Sequence, residues 1–376
     1  MRKNRVMKLC AVVVVMAILV SMLAACSSNL EAEVSEAPAA PTTVKENVEE
    51  QHEVVDEGNV DEPIAEDLKI AFYWPAPNPF IDDVKVGIDA FSEKYGVETT
   101  VLIGAEWSQD EETAKVEALA AQGYKYIAVF PVDSSGAKGL YEELTANGVT
   151  VISYASTPGD DAAHAAFVGL DFYKEGKTVC EAAINLLPDK KGKILNVLEL
   201  VEDINTVARK EGVEAAIAEA EGVELVQEIS DIHDTTEAVQ KIQDALAANI
   251  NEVDAMIATG YTTTIGIATV LQDYYGSGGE RKIVGGGIDT GIEVLNGIKE
   301  GTMDYTFAQN PYGIGYITCM IFKNISEGWT MKEDKKFVDV GLAYIDALSV
   351  DDYIAVEDKV TQDIIATLKT EYMEQK

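Results

Sequence analysis

Rings, carboxylates and amides recur at one kind of position in this chain, just after a short apolar run. The first run, 68–73, ends in Tyr73 and leads into Trp74-Pro75-Ala76-Pro77-Asn78-Pro79-Phe80. Later runs lead into Gly104-Ala105-Glu106-Trp107, Val132-Asp133-Ser134, Tyr154-Ala155-Ser156 and Asp171-Phe172. Further on come Glu202-Asp203-Ile204-Asn205, Thr259-Gly260-Tyr261-Thr262, Asp289 and Gln309-Asn310. An aromatic face packs against the apolar face of a sugar ring, and carboxylate or amide edges grip its hydroxyls. Taken singly, Asp133, Ser134 and Ser156 read as ordinary loop or helix-cap residues. Taken together, with two of the three Trp in the set, the residues point to a carbohydrate site.

Other chemistries find little material. There are three His: His52 in an acidic stretch, and His164 and His233, each isolated. All three read as surface or loop residues. No G-x-S-x-G elbow, H-x-x-x-H or C-x-x-C occurs, and no calcium loop is visible. Gly285-Gly286-Gly287 follows an apolar run without the G-x-G-x-x-G spacing, so its glycines read as allowing close packing or ligand approach. No catalytic residue, metal or cofactor is expected. Paired carboxylates such as Asp133 and Asp289 leave glycoside hydrolysis as a minor alternative. With 65 acidic and 29 basic residues the net charge is −36, which argues against nucleic acid, since phosphates are bound by Lys and Arg.

The elements that must position these residues alternate. Strand-like runs fall at 68–73, 99–103, 126–131, 150–154 and 165–169. A second series falls at 193–199, 224–229, 255–259, 282–286 and 305–309. Helix-period stretches lie between them. In one, Ile81, Val84, Ile88, Phe91 and Tyr95 share a face. Ser108 with Glu111, and Asp234 with Glu237, have capping-box spacing, and Pro311 suits a first helical turn. Ten strands alternating with helices predict an α/β fold of two doubly wound parallel-sheet lobes. In such sheets ligands sit beyond the carboxyl ends of the strands, where the rings and carboxylates gather.

The N-terminus reads as an address. Residues 1–25 hold a basic head (Arg2, Lys3, Arg5, Lys8), an apolar run and no acid. Leu23-Ala24-Ala25-Cys26 resembles a bacterial lipobox, which implies that Cys26 is lipidated and becomes the mature N-terminus. Two or more acyl chains would anchor it stably. Residues 26–67 then read as a disordered tether. Positions 27–67 carry 13 acids against Lys45 alone. Of the remaining thiols, Cys180 and Cys319 are expected to stay apart, in different lobes.

The stretch from Leu68 to about Gly328 resembles the periplasmic ribose/galactose/xylose-type sugar-binding proteins of ABC importers. The resemblance rests on Asn78-Pro79-Phe80, Phe130-Pro131-Val132-Asp133, Gly287-Ile288-Asp289 and Gln309-Asn310-Pro311, in that order. It implies a type I fold whose lobes are joined by three hinge crossings, near 169–171, 309–310 and 343–345. Lobe one is then 68–169 plus 310–342, and lobe two 170–309 plus 343–376 with the C-terminal tail. It also implies that Asn78 bonds a hydroxyl, Phe80 stacks on the ring, Arg209 reaches hydroxyls, Asp289 grips two of them and Gln309 acts at a crossing. Tyr73, Trp74, Trp107 and Tyr154 join Phe80 as candidate ring platforms, with Asp133, Asp171 and Tyr261 beside them. Where the family has an Asp-Arg pair after its fourth strand this chain has Tyr154-Ala155. An Asn or Asp of lobe two is replaced by Gly260-Tyr261. These departures admit an amino sugar, a nucleoside or another cyclic polyol beside a monosaccharide.

The expected protein is a monomeric, lipid-anchored solute-binding protein outside the cytoplasmic membrane. It would deliver a small ligand to an ABC permease by hinge closure. The alternative is a lipoprotein that presents the bound solute to a chemoreceptor or sensor kinase.

Overall fold

The computed structural model describes His52 and residues 68–375 apart from Asp160 and Glu202. The expected signal 1–25, the lipidation site Cys26 and the tether other than His52 lie outside the described residues. Among the described residues no helix is long and apolar enough to cross a membrane.

The first series of apolar runs forms β1 (Lys69–Trp74), β2 (Glu98–Ile103), β3 (Tyr126–Val129), β4 (Thr150–Tyr154) and β5 (Ala166–Gly169). Between them lie α1 (Pro79–Tyr95), α2 (Gln109–Ala121) and α3 (Ser134–Ala146). The second series forms β6 (Gly192–Val197), β7 (Val223–Ile229), β8 (Ala255–Ala258), β9 (Val284–Ile288) and β10 (Tyr305–Ala308). Its helices are α4 (Phe172–Leu186), α5 (Ile204–Glu219), α6 (Thr235–Asn249), α7 (Tyr261–Gly276) and α8 (Ile292–Glu300). The chain continues through α9 (Pro311–Ser326), β11 (Trp329–Met331), β12 (Phe337–Asp339), β13 (Ala343–Asp346), α10 (Tyr353–Thr367) and β14 (Met373–Gln375).

Two six-stranded sheets result, ordered β12-β5-β4-β3-β1-β2 and β13-β10-β9-β8-β6-β7. Every pair in the first is parallel, and in the second only β13 runs antiparallel, against β10. The pleat sends alternate side chains to opposite faces. In the first sheet Phe72, Trp74 and Tyr154 pack with Ile88 of α1 and Ile317 of α9, while Ala71, Tyr73 and Val129 pack with Val116 of α2 and Tyr141 of α3. The second sheet is covered by α4 and α5 on one face and α6, α7 and α8 on the other. Cys180 on α4 and Cys319 on α9 are buried, free thiols in separate cores.

The chain leaves the first sheet after β5, returns after β10 and leaves again between β12 and β13. Asn310 ties these passages together. Its Nδ2 donates to Val340 O at 3.0 Å, and its Oδ1 accepts from Gly313 N and from Thr361 Oγ1 of α10, each at 2.9 Å.

The tail 343–376 divides between the sheets, in keeping with only some of it joining lobe two. Only β13 joins that sheet; β14 pairs antiparallel with β11, matching Met373 to Met331, and Leu368 and Met373 enter the core beneath the first sheet. The apolar surface at the end of α9 draws those side chains back. The expectation for His52 is corrected: it is no surface residue. Its ring stacks on Tyr312 with centroids 4.0 Å apart, and its Nδ1 lies 2.6 Å from Asp358 Oδ1.

Candidate functional site

An aromatic wall stands at the carboxyl end of β1. The Trp74 ring lies 4.5 Å from Phe130 and 5.9 Å from Phe80, and Trp107 meets Phe130 edge-on at 5.3 Å. The buried Trp74 Nε1–H has no hydrogen-bond partner among the described residues, so it can still donate. Phe80 is half-buried and Trp107 is exposed.

The expected set of ring platforms is corrected at two positions. Tyr73 has no accessible surface, because the alternation that turns Trp74 toward α1 turns Tyr73 to the opposite face. Tyr154 is equally buried, 5.9 Å from Trp74, and its hydroxyl is committed to Tyr73 O at 3.0 Å. Tyr154 supports the wall from within, whereas the Tyr73 ring belongs to the core on the other face.

The polar half of the site is built at the ends of lobe-two elements. Helices α4 and α5 approach so closely that a Cβ on Gly176 would lie 2.0 Å from Arg209 O, and one on Gly212 would lie 2.0 Å from Tyr173 O. That approach places Arg209 beside Glu175, with Nε donating to Oε2 at 2.6 Å, and over the Phe172 ring, 4.8 Å from its centroid. Burial works against the Arg209 charge, but Glu175 together with Asp203 and Asp289 outweighs it and holds the guanidinium pKa above its ordinary value. Arg209 Nη2 donates to Gln309 Oε1 at 2.9 Å, and Gln309 Nε2 donates to Asp289 Oδ1 at 2.8 Å. Asp289 sits past the end of β9 with φ +71°, a left-handed geometry that Asp tolerates better than most residues. Burial pushes its carboxyl up to about 7.

Three expected ligand residues serve as helix N-caps. Asn78 Oδ1 accepts from Ile81 N at 3.0 Å, which leaves its amide N–H groups for another acceptor. Asp133 accepts from Ser135 N and Asp171 from Lys174 N, each at 2.9 Å, and both side chains are exposed. Tyr261 opens α7 and is partly exposed, with Asp289, Glu293 and Asp83 as its acidic neighbours.

Sequence reasoning passed over several acids that the fold brings inward. Glu175 occupies the buried face of α4 with Phe172, Val179 and Ala183. Glu199 caps α7 through Thr262 N at 3.0 Å, and burial raises its pKa. Glu112 holds the loop after β3 through Val132 N at 2.7 Å, and burial pushes it up to about 7. Glu357, on the buried face of α10 between Ile354 and Thr361, is pushed up to about 8 by burial and then by Asp83. For Glu112, Glu175 and Glu357 the available signal was an acid on the buried face of a helix. The triple glycine of β9 is a packing device: a Cβ on Gly286 would meet the Tyr305 ring at 2.0 Å, and one on Gly287 the Thr264 side chain at 2.4 Å.

The chain is 26% identical over 262 residues to the ribose import binding protein of Bacillus subtilis, covering 67% of this chain and 79% of that protein. Its fold is similar to an ABC transporter solute-binding protein from Actinobacillus succinogenes with bound D-allose. The TM-score there is 0.66 and the identity 21%, over 76% of this chain and 99% of that one. It is also similar to one from Bacillus halodurans with bound myo-inositol, with TM-score 0.65 and 22% identity over 77% and 97% of the chains. A periplasmic binding protein domain matches residues 70–329, so this two-lobed chain belongs to the periplasmic binding protein family.

Proposed function

We propose that this chain is an extracytoplasmic solute-binding protein of an ABC importer, taking a small sugar-like ligand between its lobes by hinge closure. The observation that carries the reading is the chain of bonds from Arg209 through Gln309 to Asp289. It joins two lobe-two grips to a residue of a hinge crossing. Trp74, Phe80 and Trp107 supply the apolar face at the end of β1, and Asn78 the amide beside it. A ligand bonded to Arg209 and Asp289 therefore acts directly on the hinge, and closure is the population shift that a permease reads. The relatives that bind ribose, allose and myo-inositol support a cyclic polyol as the ligand class.

The test is calorimetric titration with ribose, arabinose, allose and myo-inositol. One of this class binds without turnover on prolonged incubation. Arg209→Ala and Asp289→Ala each weaken that binding by at least about tenfold, as when a charge-assisted bond loses a partner. Unchanged titrations in both variants sink the site assignment. The lipid anchor at Cys26 is part of the same reading. Cys26→Ser abolishes incorporation of labelled palmitate, and retained label overturns the anchor.

A further inference from the structure

The site carries more acid than a neutral polyol requires. Its one guanidinium, Arg209, is already engaged by Glu175 and Gln309. Asp289 has one oxygen on Gln309, and Glu199 is spent on the α7 terminus. A further carboxylate, Glu357, comes from α10. It is 4% exposed and lies one helical turn from Thr361, whose hydroxyl bonds Asn310 beside the Gln309 that holds Asp289. The charges of Asp83 of α1, Asp358 of its own helix and Asp289 all act against its own. Asp358 is taken by His52. Among the described residues no group donates a hydrogen bond or ion pair to Glu357.

A carboxylate in that position is unfavourable in its charged form unless a cation or donor joins it. Without one, burial pushes Glu357 up to about 8 and Asp289 up to about 7. A metal ion is a poor fit, since no group of three His, Cys, Asp or Glu among the described residues could hold one. An alkylammonium fits better. It is a compact charge with three donors and needs acceptors alone, which Glu357 and the second oxygen of Asp289 supply. The aromatic wall meanwhile suits the apolar face of a ring.

We propose that the ligand is a sugar or cyclic polyol bearing a protonated amine, with Glu357 as its counter-ion and Asp289 as a second acceptor. The proposal rests on the solute-binding reading above and narrows its substrate class.

Calorimetry on the full chain, below neutral pH, compares glucosamine, galactosamine and an aminocyclitol with glucose, galactose and myo-inositol. At least one amino compound binds about tenfold or more tighter than its parent, the affinity ratio of one buried ion pair. Glu357→Gln lowers that ratio by at least about tenfold, leaves the parent within about threefold and still melts cooperatively. The amine proposal is overturned if neutral parents bind tighter than their amino partners, or if the ratio survives in Glu357→Gln; the sugar-binding reading then stands. If neither series binds, both readings fall together.

Discussion

Arg209 donates its Nη2 to Gln309 Oε1 at 2.9 Å, across 100 residues of sequence, while its Nε is held by Glu175 at 2.6 Å. The guanidinium is thus a joint between α5, α4 and the chain just after β10. Its planar fork fixes the directions of both bonds, a geometry that the freely rotating ammonium of a lysine does not impose.

Removing Arg209 leaves Glu175 as a buried charge without a cation. Arg209→Ala is expected to cost about 3–5 kcal/mol of stability, as when one partner of a buried pair is removed. Arg209→Lys restores only part of it, and adding Glu175→Gln to Arg209→Ala recovers a share. Denaturant unfolding of the three variants checks this. Equal stability of Arg209→Ala and the parent would mean that the pair is open in solution.

Glu357 gives a pH signature of the opposite sign to the usual carboxylate. Its folded pKa, about 8, lies above the unfolded value of about 4.5, so folding takes up a proton between those limits. The ligand-free protein therefore gains stability from this group as pH falls from 8 toward 4.5, and loses it as pH rises through 8. Asp289, raised to about 7, adds in the same direction over a lower window. Glu357→Gln is expected to melt higher than the parent at pH near 9 and to show a flatter dependence below it. A parallel pair of curves from thermal melts would contradict the assignment.

His52 packs against the folded body. Its stack on Tyr312 and its contact with Asp358 bury it beside the start of α9. His52→Ala is expected to lower stability by about 1–2 kcal/mol, the scale of a buried ring contact plus one hydrogen bond. Differential scanning calorimetry at neutral pH measures the change. An unaltered midpoint would show that the contact does not form.

The last strand is a clasp. Met373 is 2% exposed and pairs opposite Met331. Met373→Ala should cost about 2–5 kcal/mol, as for other buried Met truncations. Urea unfolding measures the change, and an unaltered midpoint would show that the strand does not hold.

Much of the architecture could be read from local patterns. Apolar runs marked ten strands, and Ser108, Asp234 and Pro311 marked helix starts, because a cap bonds only two or three residues away. Site residues were harder to read. Tyr73 and Trp74 are neighbours in sequence with equal claims as ring platforms. The pleat sends them to cores on opposite faces of the sheet, and only Trp74 meets the rings of Phe80 and Phe130. Asp133 and Asp171, candidate grips by position, each cap a helix.

By itself the sequence determined the α/β alternation, the acid excess and the cluster of rings and carboxylates after the strands. These depend on side-chain period and composition, which need no partner. Only the tertiary structure decided that Arg209 meets Gln309, that Thr361 of α10 meets Asn310, and that His52 reaches Asp358 across 306 residues. Such contacts follow from how the chain crosses between the two sheets and how α10 returns against Asn310. No local preference encodes a pairing between residues so far apart.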